Sequence, residues 1–396
     1  MFTILLLIII YISFISLGLP DSVLGSAWPS MYSALYVPLH YAGYISMIIA
    51  GGTVISSVCS ARIIRCFGTG MVTAISVCMT AVALIGFSFS HSFLWLCLCA
   101  VPLGLGAGSV DAALNNYVAL HYKARHMSWL HCFWGIGASL GPIIMASYLS
   151  RHYSWNTGYR TIGIMQCCLV LLLFVSLPLW EKNKSTEKPV QHAVIPFSKL
   201  FSMVGVKEVM AAFFCYCSIE MITGLWGASF LVVEKGIAPE VAARWIALYY
   251  IGITSGRFIS GFVTMQLSNR QMVRLGQIII GCGIVVLVLP FEKTLLPGLF
   301  MIGLGCAPIY PSLIHETPAN FGKAYSQAII GIQMGSAYVG TTIMPPLFGW
   351  IASCMSFNIL PIFIGIILII KVIMVEMVNR KVKQRCSTCH NADIRV

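Results

Sequence analysis

The stretch Gly104-Leu105-Gly106-Ala107-Gly108-Ser109-Val110-Asp111-Ala112-Ala113-Leu114-Asn115 carries a carboxylate inside an apolar run from Phe93 to Leu120. As a helix, that run is long enough to cross a bilayer. Gly104, Gly108, Asp111 and Asn115 then follow at i, i+4, i+7 and i+11, one helical stripe. Glycines four apart admit a close helix neighbour. A carboxylate on that stripe must face protein or a water-filled cavity, because facing lipid costs several kcal/mol. Two readings are open at this stage: a structural acid paired with a cation, or an acid lining a transport path.

Other ionisable or polar groups fall in apolar runs and need the same account. Asp21 follows Pro20 in the first run, at a depth expected in the outer half. Glu220 lies mid-run, with Tyr216 and Thr223 on its face and Trp226 less than a turn further, a pattern suited to a polar pocket wall. Arg257 can bind an anionic group or neutralise a buried acid, since buried charges persist when paired. His131 and Trp134 are i, i+3 neighbours where the fifth run opens, and His131 is open to a proton-relay or a structural role. Gln333 with Tyr338 adds uncharged hydrogen-bonding groups, and Pro345-Pro346 is expected to break or bend its helix. Lys371 is expected toward the inner end of the last run, where a lysine snorkels to the interface.

These groups need elements to hold them. The chain has 396 residues, of which 58% are hydrophobic and 9% charged, with a mean hydropathy of +0.88. A soluble chain carries nearer a quarter charged residues, so this is a polytopic membrane protein. Apolar runs of bilayer-crossing length recur near 3–27, 39–60, 70–89, 93–119, 129–150, 160–180, 208–233, 244–265, 272–290, 295–314, 324–349 and 357–378. The expected fold is all-α: twelve transmembrane helices in two pseudo-symmetric six-helix bundles, 1–180 and 208–378. A linker at 181–207 joins the bundles, and a basic tail follows at 379–396. Met1 to Leu19 lacks a basic leader segment and a cleavage pattern, so the first span is expected to be retained.

With the N-terminus inside, seventeen of the 24 Lys and Arg residues fall on the inner side and five on the outer. This bias places both termini in the cytoplasm and explains the net charge of +12 without nucleic acid. Within the linker, Phe197, Leu200, Phe201 and Val204 form an apolar stripe that can lie on membrane lipid; a plain flexible linker is the alternative. Fifteen cysteines scatter mostly within the runs, without zinc-ligand spacing. Cys386-Ser387-Thr388-Cys389-His390 fits a haem-attachment pattern, yet on an inner-side tail it reads as part of a basic segment. No cofactor is expected.

Weak internal matches accompany the six-plus-six plan. Gly104-Leu105-Gly106 recurs 199 positions later as Gly303-Leu304-Gly305, and Gly141 with Ile144-Met145 recurs as Gly340 with Ile343-Met344. Gly52-Thr53-Val54-Ile55-Ser56 is echoed by Gly256-Arg257-Phe258-Ile259-Ser260. Such parallel halves bind a substrate where they meet, near the midplane. There is no G-x-x-x-x-G-K-[ST] loop, G-x-S-x-G elbow or H-E-x-x-H helix, which argues against ATP-driven pumping and these hydrolases. An ion gradient is then the expected energy source.

The twelve-span plan with its basic central connection resembles the major facilitator superfamily. Several stretches resemble its branch of fucose/proton symporters and sodium-glucose cotransporter-like relatives: Ser16 to Asp21, the Asp111 run through Asn115, Trp129 to Ala138, Tyr216 to Trp226, Gly252 to Arg257 and Gly303 to Pro311. The resemblance implies that Asp21 and Asp111 stand at that family's first-span and fourth-span acids, with Asn115 as its following asparagine. His131 and Trp134 replace a glutamine and a sugar-contacting asparagine. The loop motif at Ala61 to Gly68 keeps Arg62, Arg65 and Gly68 but no acid.

Together these features point to a monomeric, proton- or sodium-coupled carrier of a sugar or similar small polar solute in the plasma membrane. Ion coupling is expected at Asp111 and Asp21. Solute contacts are expected at Asn115, His131, Trp134, Tyr216, Glu220, Trp226 and Gln333, with Arg257 as charge partner. Proton-driven efflux of an amphipathic compound, a sensor without turnover and an intramembrane enzyme are the alternatives.

Overall fold

The computed structural model describes residues 2–122, 124–181, 197–264 and 266–393. Among these, every regular element is helical. The first half holds α1 (Phe2–Ala34), α2 (Tyr41–Phe67), α3 (Thr69–Ser88), α4 (Phe93–His121), α5 (Ala124–Leu149) and α6 (Trp155–Glu181). A short α7 (Phe197–Ser202) precedes the second half: α8 (Val206–Lys235), α9 (Pro239–Val263), α10 (Asn269–Val288), α11 (Glu292–Cys306), α12 (Ile309–Phe321), α13 (Lys323–Cys354) and α14 (Leu360–Asp393). Connections are short and locally specified. Ser268 caps α10 through a reciprocal bond with Gln271, and Gly68 turns between α2 and α3 at φ 76°.

Eleven stretches are helical, long and apolar enough to cross a membrane, α11 and α12 counting together as Glu292–Phe321. The expected span at 324–349 is α13, also long, but it is not among the eleven. Serine, threonine, glutamine and paired prolines dilute its apolar content, and Tyr338 and Thr341 face the interior cavity.

The internal repeat is written in helix contacts. A β-carbon on Gly141 of α5 would stand 2.5 Å from the Leu19 carbonyl of α1, and one on Gly340 of α13 would stand 2.6 Å from the Phe214 carbonyl of α8. A β-carbon on Gly106 would stand 2.5 Å from the Ser76 carbonyl of α3, just as one on Gly305 would stand 2.6 Å from that of Gly276 on α10. Gly104 and Gly303 sit on the carbonyls of Ile49 (α2) and Tyr249 (α9) respectively. Each recurrent glycine marks the same helix pair in its half, because only a missing side chain permits such backbone approach.

Three expectations are corrected. Span 11 does not break at Pro345-Pro346: α13 runs through, the Thr341 and Thr342 hydroxyls bond back to Tyr338, and the Trp226 indole satisfies the Pro345 carbonyl. Span 10 breaks instead, at Ala307-Pro308 between α11 and α12, where Pro308 and Pro311 both lack an amide donor. Lys371 does not snorkel. It sits eleven residues into α14, about 16 Å along the helix from Leu360 at 1.5 Å per residue, and is fully buried.

The segment 379–393, expected as a tail, continues α14. The side chains of its C-x-x-C-H motif lie outside the described residues, as do 182–196 of the linker. Leu200 is buried while Val204 is exposed, so the apolar stripe at 197–204 is split between protein and surroundings.

Candidate functional site

The two halves meet most closely away from the basic face, the end that carries Arg62, Arg65, Arg270, Arg274 and Arg380. There Gly25 of α1 lies on the backbone of Gly224 and Leu225 in α8, and Gly43 of α2 lies on Pro346 of α13. Deeper in, Gly135 of α5 packs on Thr254 of α9. Below these contacts a cavity of about 800 Å³ separates the halves. Its lining extends to Thr264 and Asn269 at the α9–α10 connection, so it reaches toward the basic face.

From the first half, Phe14, Asp111, Met127, His131 and Trp134 line this cavity. Asp111 accepts a bond from Asn115 Nδ2 at 2.9 Å, and the same amide donates to the Asp111 carbonyl at 3.0 Å. The glycine stripe behind it does what its spacing promised, since Gly104 and Gly108 lie against Ile49 and Thr53 of α2. The result is an acid held by a neutral amide on a rigid backing. Asp21 is exposed and takes a bond from Trp134 Nε1 at 2.8 Å. The expected pairing of Asp21 with Asp111 is not a contact. Each carboxylate has its own neutral donor, Asn115 for Asp111 and Trp134 for Asp21.

From the second half, Tyr216, Glu220, Arg257, Tyr310, His315 and Tyr338 face the cavity. Arg257 approaches Glu220 at 3.9 Å, too far for a hydrogen bond. Its guanidinium stacks on the Trp134 ring across the interface, 4.9 Å from the centroid, and leans toward the His131 carbonyl at 3.4 Å. One cation thus touches both halves and keeps donors free for a ligand. Tyr249 fixes α8 locally by donating to the Glu220 carbonyl at 3.0 Å.

Several expected contacts fall elsewhere. Trp226 is fully buried, donates to the Pro345 carbonyl at 2.8 Å and packs on Phe348 and Phe357. It staples α8 to α13 rather than facing the cavity. Gln333 is also fully buried and exchanges bonds with Thr317 at 3.0 and 3.1 Å, joining α13 to α12. Thr223 turns into its own helix. Asn115 reaches the site through Asp111. The face shared by Tyr216 and Glu220 was legible, but α8 is buried nearly all round, so periodicity does not say which face meets the cavity.

Sequence reasoning missed Phe14, His315, Met221, Met334 and the wall role of Tyr310, whose hydroxyl lies 2.7 Å from Met334 Sδ. A usable signal was the Pro308-Ile309-Tyr310-Pro311 cluster, since helices break where they line cavities.

The family model of the Major Facilitator Superfamily matches residues 10–243 and 208–385. The chain belongs to this superfamily. An uncharacterised MFS-type transporter of Yersinia pestis is 23% identical over 263 residues, which is 64% of each chain. Superfamily folds align along nearly the full length. A bacterial homolog of the human lysosomal transporter Spinster, inward-facing and unoccupied, aligns at a TM-score of 0.76 and 11% identity, covering 96% of this chain and 97% of that one. The nucleoside transporter NupG aligns at 0.76 and 13% identity over 93% and 98%. The peptide transporter POT aligns at 0.77 and 13% over 95% of each. At such identities the likeness establishes the superfamily fold; the fucose-symporter branch is not singled out.

Proposed function

We propose that this chain is a cation-coupled secondary transporter that moves a sugar or similar small polar solute by alternating access of its two halves. The observation that carries this reading is the interhalf cavity, large enough for a small solute and walled by both halves, with Asp111 on one side and the Glu220–Arg257 pair on the other. The aromatic walls of Trp134, Tyr216, Tyr310 and Tyr338 suit the face of a sugar or a planar ring, and the polar groups suit its edge. On this reading the basic face is cytoplasmic, as the lysine and arginine bias supports, and the arrangement is inward-open in the plasma membrane.

Coupling is assigned to Asp111, with a proton as the preferred ion and sodium as the alternative. Closing the cavity over a carboxylate that has only a neutral amide partner leaves a desolvated charge. A bound proton or cation removes that penalty before the halves rock. Asp21 acts beside it by holding Trp134. Counterflow in proteoliposomes tests the assignment: preloaded solute should exchange across the membrane, and a chain that binds solute without exchanging it is a sensor.

The methionines of the lining (Met127, Met221, Met334) with Phe14 favour a second reading, efflux of an amphipathic compound. A thermal-shift screen of sugars, nucleosides and amphipathic cations separates the two, since a bound ligand stabilises the folded state by mass action.

A further inference from the structure

Away from the central cavity, the interior of the second half contains a lysine with nothing to pair with. Lys371 is 0% exposed, and its Nζ has no hydrogen-bond partner among the described residues. The titratable groups facing it are the thiols of Cys306 from α11 and Cys215 from α8. The acids of the surrounding helices are engaged elsewhere. Glu376 of its own helix takes two bonds from Arg274 of α10 at 2.8 Å, and Glu316 of α12 pairs with Arg270 at 3.3 Å. Glu208 of α8 pairs with Lys381, and Glu220 lies opposite Arg257 at the central cavity.

A second orphan donor lies nearby. Arg274 meets Glu376, and Gly281 meets Leu368, so Gln277 falls within a turn of Lys371 along the α10–α14 contact. Gln277 is 5% exposed, and its Nε2 also lacks a partner among the described residues. One turn toward the basic face from this layer is a separate chamber of about 20 Å³. Val375, Val273 and Ala212 form its roof, each about one turn from Lys371, Gln277 and Cys215, while Arg270, Glu316 and Asn320 supply polar walls. A water needs about 10–15 Å³ and polar partners, and this chamber offers both.

We propose that Lys371 is a proton-exchange site of the second half, uncharged in this arrangement and set about one turn beyond the chamber that lies on its basic-face side between α8, α10, α12 and α14. The charge state follows from geometry. An ammonium at mid-helix with no anion in reach carries an uncompensated desolvation cost, whereas a neutral amine forgoes only hydrogen bonds. Arg270, half-exposed on the chamber wall, connects the chamber to the surface. Protonation puts a charge beside Cys306, where α11 ends and its last carbonyls lack helical donors. The proton is thereby linked to the break in span 10 and to α12, whose Tyr310 walls the central cavity. Use of this proton in coupling rests on the transport reading above; the site itself does not.

The test follows unfolding of the purified full-length protein in detergent across pH 6 to 9, without solute. An unfolded chain binds a proton on this lysine throughout that range, whereas a folded chain that buries it without a partner holds that proton less tightly. Stability should therefore rise with pH, with a contribution of up to about tenfold per pH unit in the unfolding equilibrium, the slope of one proton. Lys371→Met should lose that contribution and match or exceed the parent at low pH. Lys371→Arg, which cannot shed its proton, should be destabilised at every pH. Asp111→Asn should keep the slope. The proposal fails if Lys371→Met retains the full slope, if Lys371→Arg is as stable as the parent, or if neither Lys371→Met nor Lys371→Gln folds. Loss of the slope in Asp111→Asn alone would assign the titration to the central cavity, sinking the lysine site and leaving the transport reading intact. A slope lost in Cys215→Ala/Cys306→Ala with Lys371 present would assign it to the thiols instead.

Discussion

The two halves of the molecule solve the problem of an intramembrane acid differently. In the first half, Asp111 and Asp21 have neutral partners, an amide and an indole, with no cation within 4 Å among the described residues. In the second half, Glu220 has Arg257 within 3.9 Å. A carboxylate held by neutral donors remains sensitive to whatever cation arrives, because nothing fixed in the protein balances its charge. One that faces a guanidinium is balanced beforehand, and its wall is available to orient a solute. On the transport reading proposed above, the contrast would give ion response to the first half and solute recognition to the second.

The sharpest way to break this contrast is to neutralise each acid. Asp111→Asn should exchange solute in counterflow yet fail to concentrate it against a gradient, the uptake collapsing to equilibration. Glu220→Gln should instead weaken solute binding by about tenfold, the worth of one hydrogen bond to a charged group, while leaving whatever it binds still coupled. If Asp111→Asn accumulates solute as the parent does, the division between the walls is wrong.

A smaller effect tests the balance within the second wall. Arg257→Met leaves Glu220 facing an apolar group and should destabilise the protein by about 2 kcal/mol, below the usual range for breaking a buried pair because this one is long and partly exposed. Adding Glu220→Gln should restore much of that loss in the same thermal-unfolding assay. An unrecovered double variant would mean that Arg257 acts through Trp134 rather than Glu220.

The symmetry of the scaffold can be compared in the same way. Gly141→Val and Gly340→Val each push a side chain onto a carbonyl of the partner helix, and each should cost about 1–3 kcal/mol. Their costs should be similar, since the two contacts occupy matched places in the two halves. The smallest effect is expected at Trp226→Phe, which removes one bond to Pro345 and should cost about 1 kcal/mol of stability. Solute affinity should stay unchanged; a loss of affinity would return Trp226 to the cavity wall.

Composition and the spacing of apolar runs alone determined that this chain is an all-helical membrane protein in two repeated halves. Burying a helix backbone in lipid demands long, uncharged, internally bonded segments, and that demand is local in sequence. The stripe from Gly104 to Asp111 was legible for the same reason, because three of its features lie on one helix face. Which residues of α8 and α13 meet the cavity was decided only in three dimensions. Trp226, Gln333, Tyr216 and Glu220 look alike in sequence, as polar or aromatic residues in apolar runs. The packing of α8 on α13, and of α13 on α12, sends the first two into the protein and the others toward the opposite half. The fate of Lys371 was decided in the same way: helix rotation, which periodicity does not fix in a span apolar all round, turned a residue expected at the interface into the interior of the second half.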